Sequence, residues 1–194
     1  MSEKHLKICF IGEFGVGKTC LIRAFVDKVV DIKKVQTTLG IDFFSKTISI
    51  GSRSVNLRIW DTAGSERYRS LMYSYLRDSS IVVLVYDLTD CRSMHHVQYW
   101  MKKIESHHPQ VVAVIGNKMD LETNGTQNIH ECVEPWQRRD WKIIFGSTTA
   151  RRKEPIETIM NKCIRVALDV SQNEKKVPIG FEDSKKTVSG TCCA

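Results

Sequence analysis

The sequence lacks any apolar run of the ~18 residues that a membrane-spanning helix requires. The first five residues, Met1–His5, lead directly into a short apolar run, and this leaves no room for the apolar segment of a signal peptide. We therefore expect the chain to be made and kept in the cytosol.

A long basic cluster is also lacking, although the formal net charge is +7. The densest basic groups are Arg138-Arg139 and Arg151–Lys153, and no base-stacking aromatic residues alternate with them. Positive charge that is scattered in this way favours a solvated face over a nucleic-acid-binding one. We expect no nucleic-acid partner.

The cysteines lack the spacing of a metal site, and their number, seven, is odd. Such usage is typical of a reducing compartment, where free thiols persist. We expect Cys9, Cys20 and Cys163 to be small core residues.

Apolar runs typical of strands alternate with helix-like periods along the chain, which at 194 residues and 42% hydrophobic composition is long enough for one domain. The predicted strands are Leu6–Ile11, Phe43–Ile50, Ser54–Trp60, Ile81–Tyr86, Val111–Ile115 and Lys142–Phe145, and the predicted helices are Thr19–Val26, Met94–Ile104 and Pro155–Val170. This order predicts a doubly wound α/β fold whose six-stranded sheet is mainly parallel, with one antiparallel edge strand from a hairpin at Gly51-Ser52. Residues 121–141 support only a short or irregular helix because Pro135 interrupts them. We assign residues 1–170 to the domain and residues 171–194, which lose hydrophobic periodicity, to a flexible tail.

Residues 12–19 match the phosphate-binding pattern G-x-x-x-x-G-K-[ST], directly after the first predicted strand. Glycines let successive backbone N–H groups turn toward a polyphosphate, and the next helix presents its positive end. Lys18 supplies a cation and Thr19 a hydroxyl for Mg²⁺. The alternative is a glycine turn with a solvated lysine. The predicted nucleotide contacts of this loop are Gly12, Phe14, Gly15, Val16, Gly17, Lys18, Thr19 and Cys20.

Three more polar stretches follow predicted strands, where a parallel sheet brings them to the same edge. In Asp61–Gly64, the carboxylate can hold Mg²⁺ and Gly64 can offer its N–H to the terminal phosphate. In Asn117–Asp120, a carboxylate can accept from both N1–H and the N2 amino group of guanine, which favours GTP over ATP. Thr149, Ala150 and Arg151 can complete a base pocket through backbone N–H groups. Each stretch alone is compatible with a strand-end turn or helix cap, but their joint order favours one site that includes Asn117, Lys118 and Asp120.

From Leu6 to Leu168 the chain resembles the Ras superfamily of small GTPases, and specifically the Rab family, through Leu39–Phe43 and Ile59–Tyr68. Arg69–Leu71 and Ser74–Ser79 are similar to the Golgi-trafficking branch. The resemblance implies the P-loop small GTPase fold, Mg²⁺ with GTP or GDP, and Thr38 as a switch residue that binds Mg²⁺ and the γ-phosphate. It also implies that the aromatic residues Phe43, Trp60 and Tyr75 contact effectors; plain core packing is the alternative for them.

The resemblance further implies a monomeric switch in vesicle-mediated transport, with effector proteins, an exchange factor, a GTPase-activating protein and a prenyl-binding escort or dissociation inhibitor as partners. The pair Cys192-Cys193 resembles a double geranylgeranylation site, and two prenyl chains give stable membrane anchoring. The alternative is two unmodified cysteines. We expect a location on the cytoplasmic face of an endomembrane such as the Golgi, with a cytosolic pool.

Departures from the family pattern bear on the chemistry. Ser65 stands where relatives have the glutamine that orients the attacking water, and Phe14 stands where they have a small residue. Because serine is too short to orient the water and the phenyl ring crowds the site, Ser65 and Phe14 predict slow GTP hydrolysis. The rival interpretation is a GTP-binding interaction module with negligible hydrolysis. A nucleotide kinase fits the loop, but an arginine-rich lid insert is lacking and Asn117–Asp120 is left unexplained. Arg151 also stands where relatives have lysine, a change that backbone contacts to the base can survive.

Overall fold

The computed structural model describes residues 4–26, 34–51, 53–64, 69–121, 129–137 and 140–174. In chain order the elements are β1 (Lys4–Ile11), α1 (Lys18–Val26), β2 (Ile41–Ile50), β3 (Arg53–Thr62), α2 (Arg69–Leu76), β4 (Ile81–Asp87), α3 (Cys91–Glu105), β5 (Val111–Asn117), α4 (Ile129–Val133), β6 (Lys142–Ser147) and α5 (Lys153–Glu174). All six predicted strands are present, and each is longer than its apolar run.

The strands form one six-stranded sheet in the order β2-β3-β1-β4-β5-β6. Only β2 is antiparallel to its neighbour, pairing with β3 from Ile41 opposite Thr62 to Ile50 opposite Arg53. The remaining pairs are parallel, so the carboxyl ends of β1, β3, β4, β5 and β6 lie at one edge. The predicted doubly wound, mainly parallel fold is confirmed.

Apolar side chains are buried on both faces of the sheet, which explains the continuous apolar runs Ile8–Ile11 in β1, Ile81–Tyr86 in β4 and Val111–Ile115 in β5. On one face Phe10 packs in a cluster with residues of α1 and α5. On the other face the main partner is α3, whose Trp100 and Met101 are buried. Cys9 and Cys163 are core residues as predicted, and burial raises the pKa of both thiols to about 12, so they stay protonated and unreactive at neutral pH.

The C-terminal helix departs from its predicted bounds. It begins at Lys153 and ends at Glu174, so it includes the first four residues of the predicted tail. Ser171 supports the added turn, because its hydroxyl donates to the Ala167 carbonyl at 2.8 Å and accepts from the Gln110 amide at 3.2 Å. The division into a domain and a tail stays a prediction, and Cys192 and Cys193 lie outside the described residues.

The structure also shows a helix, α2, that was not predicted from the sequence. In the predicted irregular region, the described residues form only short elements. The helix α4 has five residues and is followed by a 3₁₀ turn, Glu134–Trp136, that contains Pro135. Within the described residues, none of the helices has the length and apolar character to cross a bilayer.

Candidate functional site

The loop between β1 and α1 has a backbone that requires glycine. Gly15 and Gly17 have φ values of +78° and +94°, in the left-handed region. A Cβ at Gly17 would also overlap the side-chain amide of Asn117. That amide nitrogen donates to the Val16 carbonyl at 2.7 Å. The structure therefore brings the predicted phosphate and base motifs into direct contact.

Lys18 closes this loop from inside. Its ammonium donates to the carbonyl oxygens of Gly12 and Glu13, at 2.9 Å each. Burial lowers the pKa of Lys18 to about 8, while the negative charges of Asp61 and Glu13 oppose the shift. The cation is thus held at the centre of the loop, where a polyphosphate would meet it.

Oxygen atoms of Thr19, Thr38 and Asp61 converge beside the loop. The Thr19 hydroxyl donates to Asp61 Oδ2 at 2.5 Å and lies 2.8 Å from the Thr38 hydroxyl, which in turn is 3.2 Å from Asp61 Oδ2. Burial raises the pKa of Asp61, and its other oxygen, Oδ1, is buried without a hydrogen-bond partner within the described part of the chain. Hard oxygen donors around an unsatisfied carboxylate oxygen fit Mg²⁺. All three predicted metal ligands are therefore brought together.

Phe14 lies at the rim of a cavity of about 180 Å³ that Lys18, Thr38 and Gly64 also line. Its side chain is 63% exposed. A Cβ at Gly64 would overlap the Glu13 carbonyl and the Phe14 amide, so the segment after β3 packs directly on the loop that carries the phenyl ring. Ser65 lies outside the described residues.

A second cavity, of about 310 Å³, shares Gly15 and Gly17 with the first. Its lining includes every predicted base-site residue, namely Asn117, Lys118, Asp120, Thr149, Ala150 and Arg151. Cys20 lines both cavities and is half-buried, so its prediction as a core residue is wrong. Its place beside the nucleotide stays a prediction.

Two side chains donate hydrogen bonds to the carboxylate of Asp120. Thr149 Oγ1 donates to Oδ1 at 2.6 Å, and Arg151 Nε donates to Oδ2 at 2.7 Å. The Thr149 hydrogen bond is the main cause that lowers the pKa of Asp120, and the Arg151 guanidinium adds to it. The group therefore stays a charged acceptor at neutral pH.

Sequence reasoning missed two contacts of these motifs. Lys118 pairs with Asp87, the last residue of β4, with 2.6 Å between Nζ and Oδ2. Asp87 directly follows an apolar run, as Asp61 does, and the same strand-end reasoning could have found it. Glu13 accepts from the Trp100 indole N–H at 3.1 Å, and no local pattern signals a contact across 87 positions.

The predicted effector residues form a row of rings. Phe43 and Tyr75 each lie 4.9 Å from Trp60 between ring centroids. Phe43 is 47% exposed, and the other two are half-buried against the core. Plain core packing does not describe Phe43, and its exposed ring is available to a partner.

The order of these elements and loops agrees with a comparison to known families. A family model for the Ras family matches residues 7–169, a range that runs from β1 into α5 and contains every loop described above. Members of this family are GTPases that bind GTP or GDP, typically with Mg²⁺, and act with effectors, exchange factors and activating proteins. Because the match covers most of the chain, the protein belongs to the Ras family of small GTPases.

Proposed function

We propose that this Ras-family GTPase is a Rab-like switch that recruits effectors in vesicle-mediated transport and hydrolyses GTP slowly. The position of Phe14 is the observation that supports the slow rate, because its exposed ring shares a cavity with Lys18, Thr38 and Gly64. The Rab-like part rests on the Leu39–Phe43 and Ile59–Tyr68 stretches and on the exposed aromatic row.

The switch follows from which residues would contact the γ-phosphate. Lys18 and the loop amides bind the phosphates, and Thr19, Thr38 and Asp61 would hold Mg²⁺, which neutralises charge on the phosphate oxygens when bound. Thr38 and Gly64 belong to separate segments that meet at the loop. A γ-phosphate orders both segments and its loss releases them, which changes the surface that effectors read.

Hydrolysis is slow because the chain's own residues neither orient water nor leave space for it. Ser65 is too short to reach an attacking water in the way a glutamine does. Phe14 occupies the rim where water, or an arginine from an activating protein, must approach. An activating protein that supplies its own glutamine compensates for Ser65, and Phe14 remains the harder obstacle.

Single-turnover hydrolysis of bound GTP tests the slow rate. We compare wild type with Phe14→Ser, Ser65→Gln and the double variant, with and without a Rab-activating protein domain. Phe14→Ser alone should gain most in the presence of the activating domain, and the double variant should gain most without it. A wild type that already matches the double variant would refute the proposal.

A second candidate, the GTP-binding interaction module, is favoured by the same ring. The nucleotide that copurifies separates the two: GDP with slow phosphate release supports the slow timer, whereas retained GTP without phosphate release supports the module. Bound adenine nucleotide would contradict both.

We further propose that Cys192 and Cys193 carry two prenyl chains that anchor the protein to an endomembrane such as the Golgi, with a cytosolic pool held by a prenyl-binding escort. Between Ser171 and the C-terminus the chain has four lysines against three acidic residues, so charge contributes little. In vitro geranylgeranylation should transfer two chains to wild type, one to Cys193→Ser and none to the double serine variant. Equal transfer to all three would refute this anchor.

A further inference from the structure

We infer that Arg151 is a positioning residue for guanine recognition, which acts by fixing the Asp120 carboxylate. The inference deepens the proposed function and rests on guanine-nucleotide binding at this site. The Arg151 side chain is 65% exposed and pairs with an Asp120 side chain that is 25% exposed.

The carboxylate offers about four acceptor positions, two on each oxygen. Thr149 takes one on Oδ1 and Arg151 takes one on Oδ2. Apart from the backbone N–H of Asp120 itself, which also interacts with the carboxylate, these two side chains leave one position on each oxygen. Two free acceptor positions, one on each oxygen, match a base with two adjacent N–H donors, as guanine has at N1 and N2. They do not match adenine, which lacks this pair of donors. The protein donors thus set both the number and the direction of the free acceptors.

Hydrogen bonds also fix the orientation of the Thr149 hydroxyl within residues 149–151. The Thr149 hydroxyl accepts from the backbone N–H of Arg151 at 3.1 Å, so its own hydrogen is directed to Asp120 Oδ1. Thr149 is buried, which fixes the Oδ1 side of the carboxylate. Arg151 is the other side chain that the structure describes as a donor to this carboxylate, and it donates to Oδ2. Without it the carboxylate can turn and take water on Oδ2.

Arginine suits this task better than lysine. The guanidinium is planar and its N–H directions are fixed, whereas the ammonium of lysine is a mobile point charge. Since relatives in the resembled family carry lysine here, Arg151→Lys is a natural conservative variant. It should retain part of the effect through charge alone.

The experiment measures dissociation of GDP and of inosine diphosphate, which lacks the N2 amino group, from the full-length protein. Arg151→Ala should speed GDP release about fivefold, the size expected for an exposed charge pair, and inosine diphosphate release by less. The preference for GDP over the inosine nucleotide therefore falls, with Arg151→Lys in between. Arg152→Ala removes the same charge from the adjacent exposed position and should behave as wild type.

Different results would refute the proposed function and the role of Arg151. A wild type that binds neither GDP nor GTP refutes the proposed function. A wild type that prefers GDP over inosine diphosphate, with an Arg151→Ala variant that keeps the whole preference, refutes the inference alone. Arg151→Gln, which retains a side chain of similar length, repeats the test, and thermal unfolding of each variant shows that the fold is intact.

Discussion

The contact between Glu13 and Trp100 predicts how firmly the phosphate-binding loop is attached to the core. The Trp100 indole N–H donates to Glu13 Oε1 at 3.1 Å, and His96 Nδ1 lies 3.3 Å from the same oxygen. Trp100 is 1% exposed, so its indole N–H depends on this protein acceptor and not on water. Trp100→Phe keeps an aromatic ring in the core but removes the donor.

The expected cost has two parts. Loss of a hydrogen bond to a charged acceptor costs about 1.5–3 kcal/mol, and the smaller ring costs about 1 kcal/mol in lost contacts and cavity. We therefore expect the free energy of unfolding to fall by about 3 kcal/mol. Glu13→Gln keeps the shape of the acceptor and removes its charge, which reduces the hydrogen-bond part by roughly half.

A double-mutant cycle with Trp100→Phe and Glu13→Gln separates these parts. Urea unfolding, followed by circular dichroism, should give a coupling energy of about 1 kcal/mol between the two positions. GDP should also leave Trp100→Phe faster, because the Glu13 carbonyl that Lys18 contacts belongs to the same anchored residue. Additive costs, with GDP release unchanged, would show that the contact does not anchor the loop.

Three further predictions concern the metal site, the exposed ring and the loop lysine. Asp61→Asn should weaken Mg²⁺ binding at least about tenfold, as shown by the Mg²⁺ concentration that half-suppresses GDP release; an unchanged value would contradict the metal assignment. Phe43→Ala should cost about 1 kcal/mol in urea unfolding, because its ring is half-exposed, whereas the fully buried Phe10→Ala should cost about 3–5 kcal/mol; equal costs would mean that Phe43 is a core residue. Burial lowers the pKa of Lys18 from 10.5 to about 8, so the buried charge costs stability in full below pH 8. Between pH 8 and 10.5 the unfolded state binds one more proton than the folded state, and this cost is relieved as pH rises. The stability difference between the nucleotide-free wild type and Lys18→Met should accordingly shift in favour of wild type from pH 7.5 toward 9.5, by roughly 2 kcal/mol at most.

The central strands could be predicted from sequence because burial on both faces leaves a continuous apolar run. Their ends were predicted too early, since β4 continues to Asp87 and β5 to Asn117, both polar. These residues are buried at the functional edge, where they hold Lys118 and the Val16 carbonyl. The apolar run of each strand therefore ends just before the polar residue that belongs to the site, and a prediction from hydropathy ends the strand too early.

Other features depend on contacts that sequence reasoning cannot see. The helix α2 has only eight residues, too few for a helical period to be recognised in the sequence, so it was not predicted. The last turn of α5 depends on Ser171 meeting Gln110, which is 61 positions away. In the same way Arg151 was expected to act through its backbone, and its side-chain contact with Asp120 emerges only when β5 and β6 lie side by side.

The position of β1 between β3 and β4 ties the phosphate-binding loop to a strand that is paired on both sides. Residues Ile8–Ile11 have no exposed surface, and Gly12 follows them directly. Amide hydrogens of a strand paired on both sides exchange with solvent mainly when the whole domain unfolds. Hydrogen exchange should therefore be slowest in Ile8–Ile11 and should not change when the nucleotide is released.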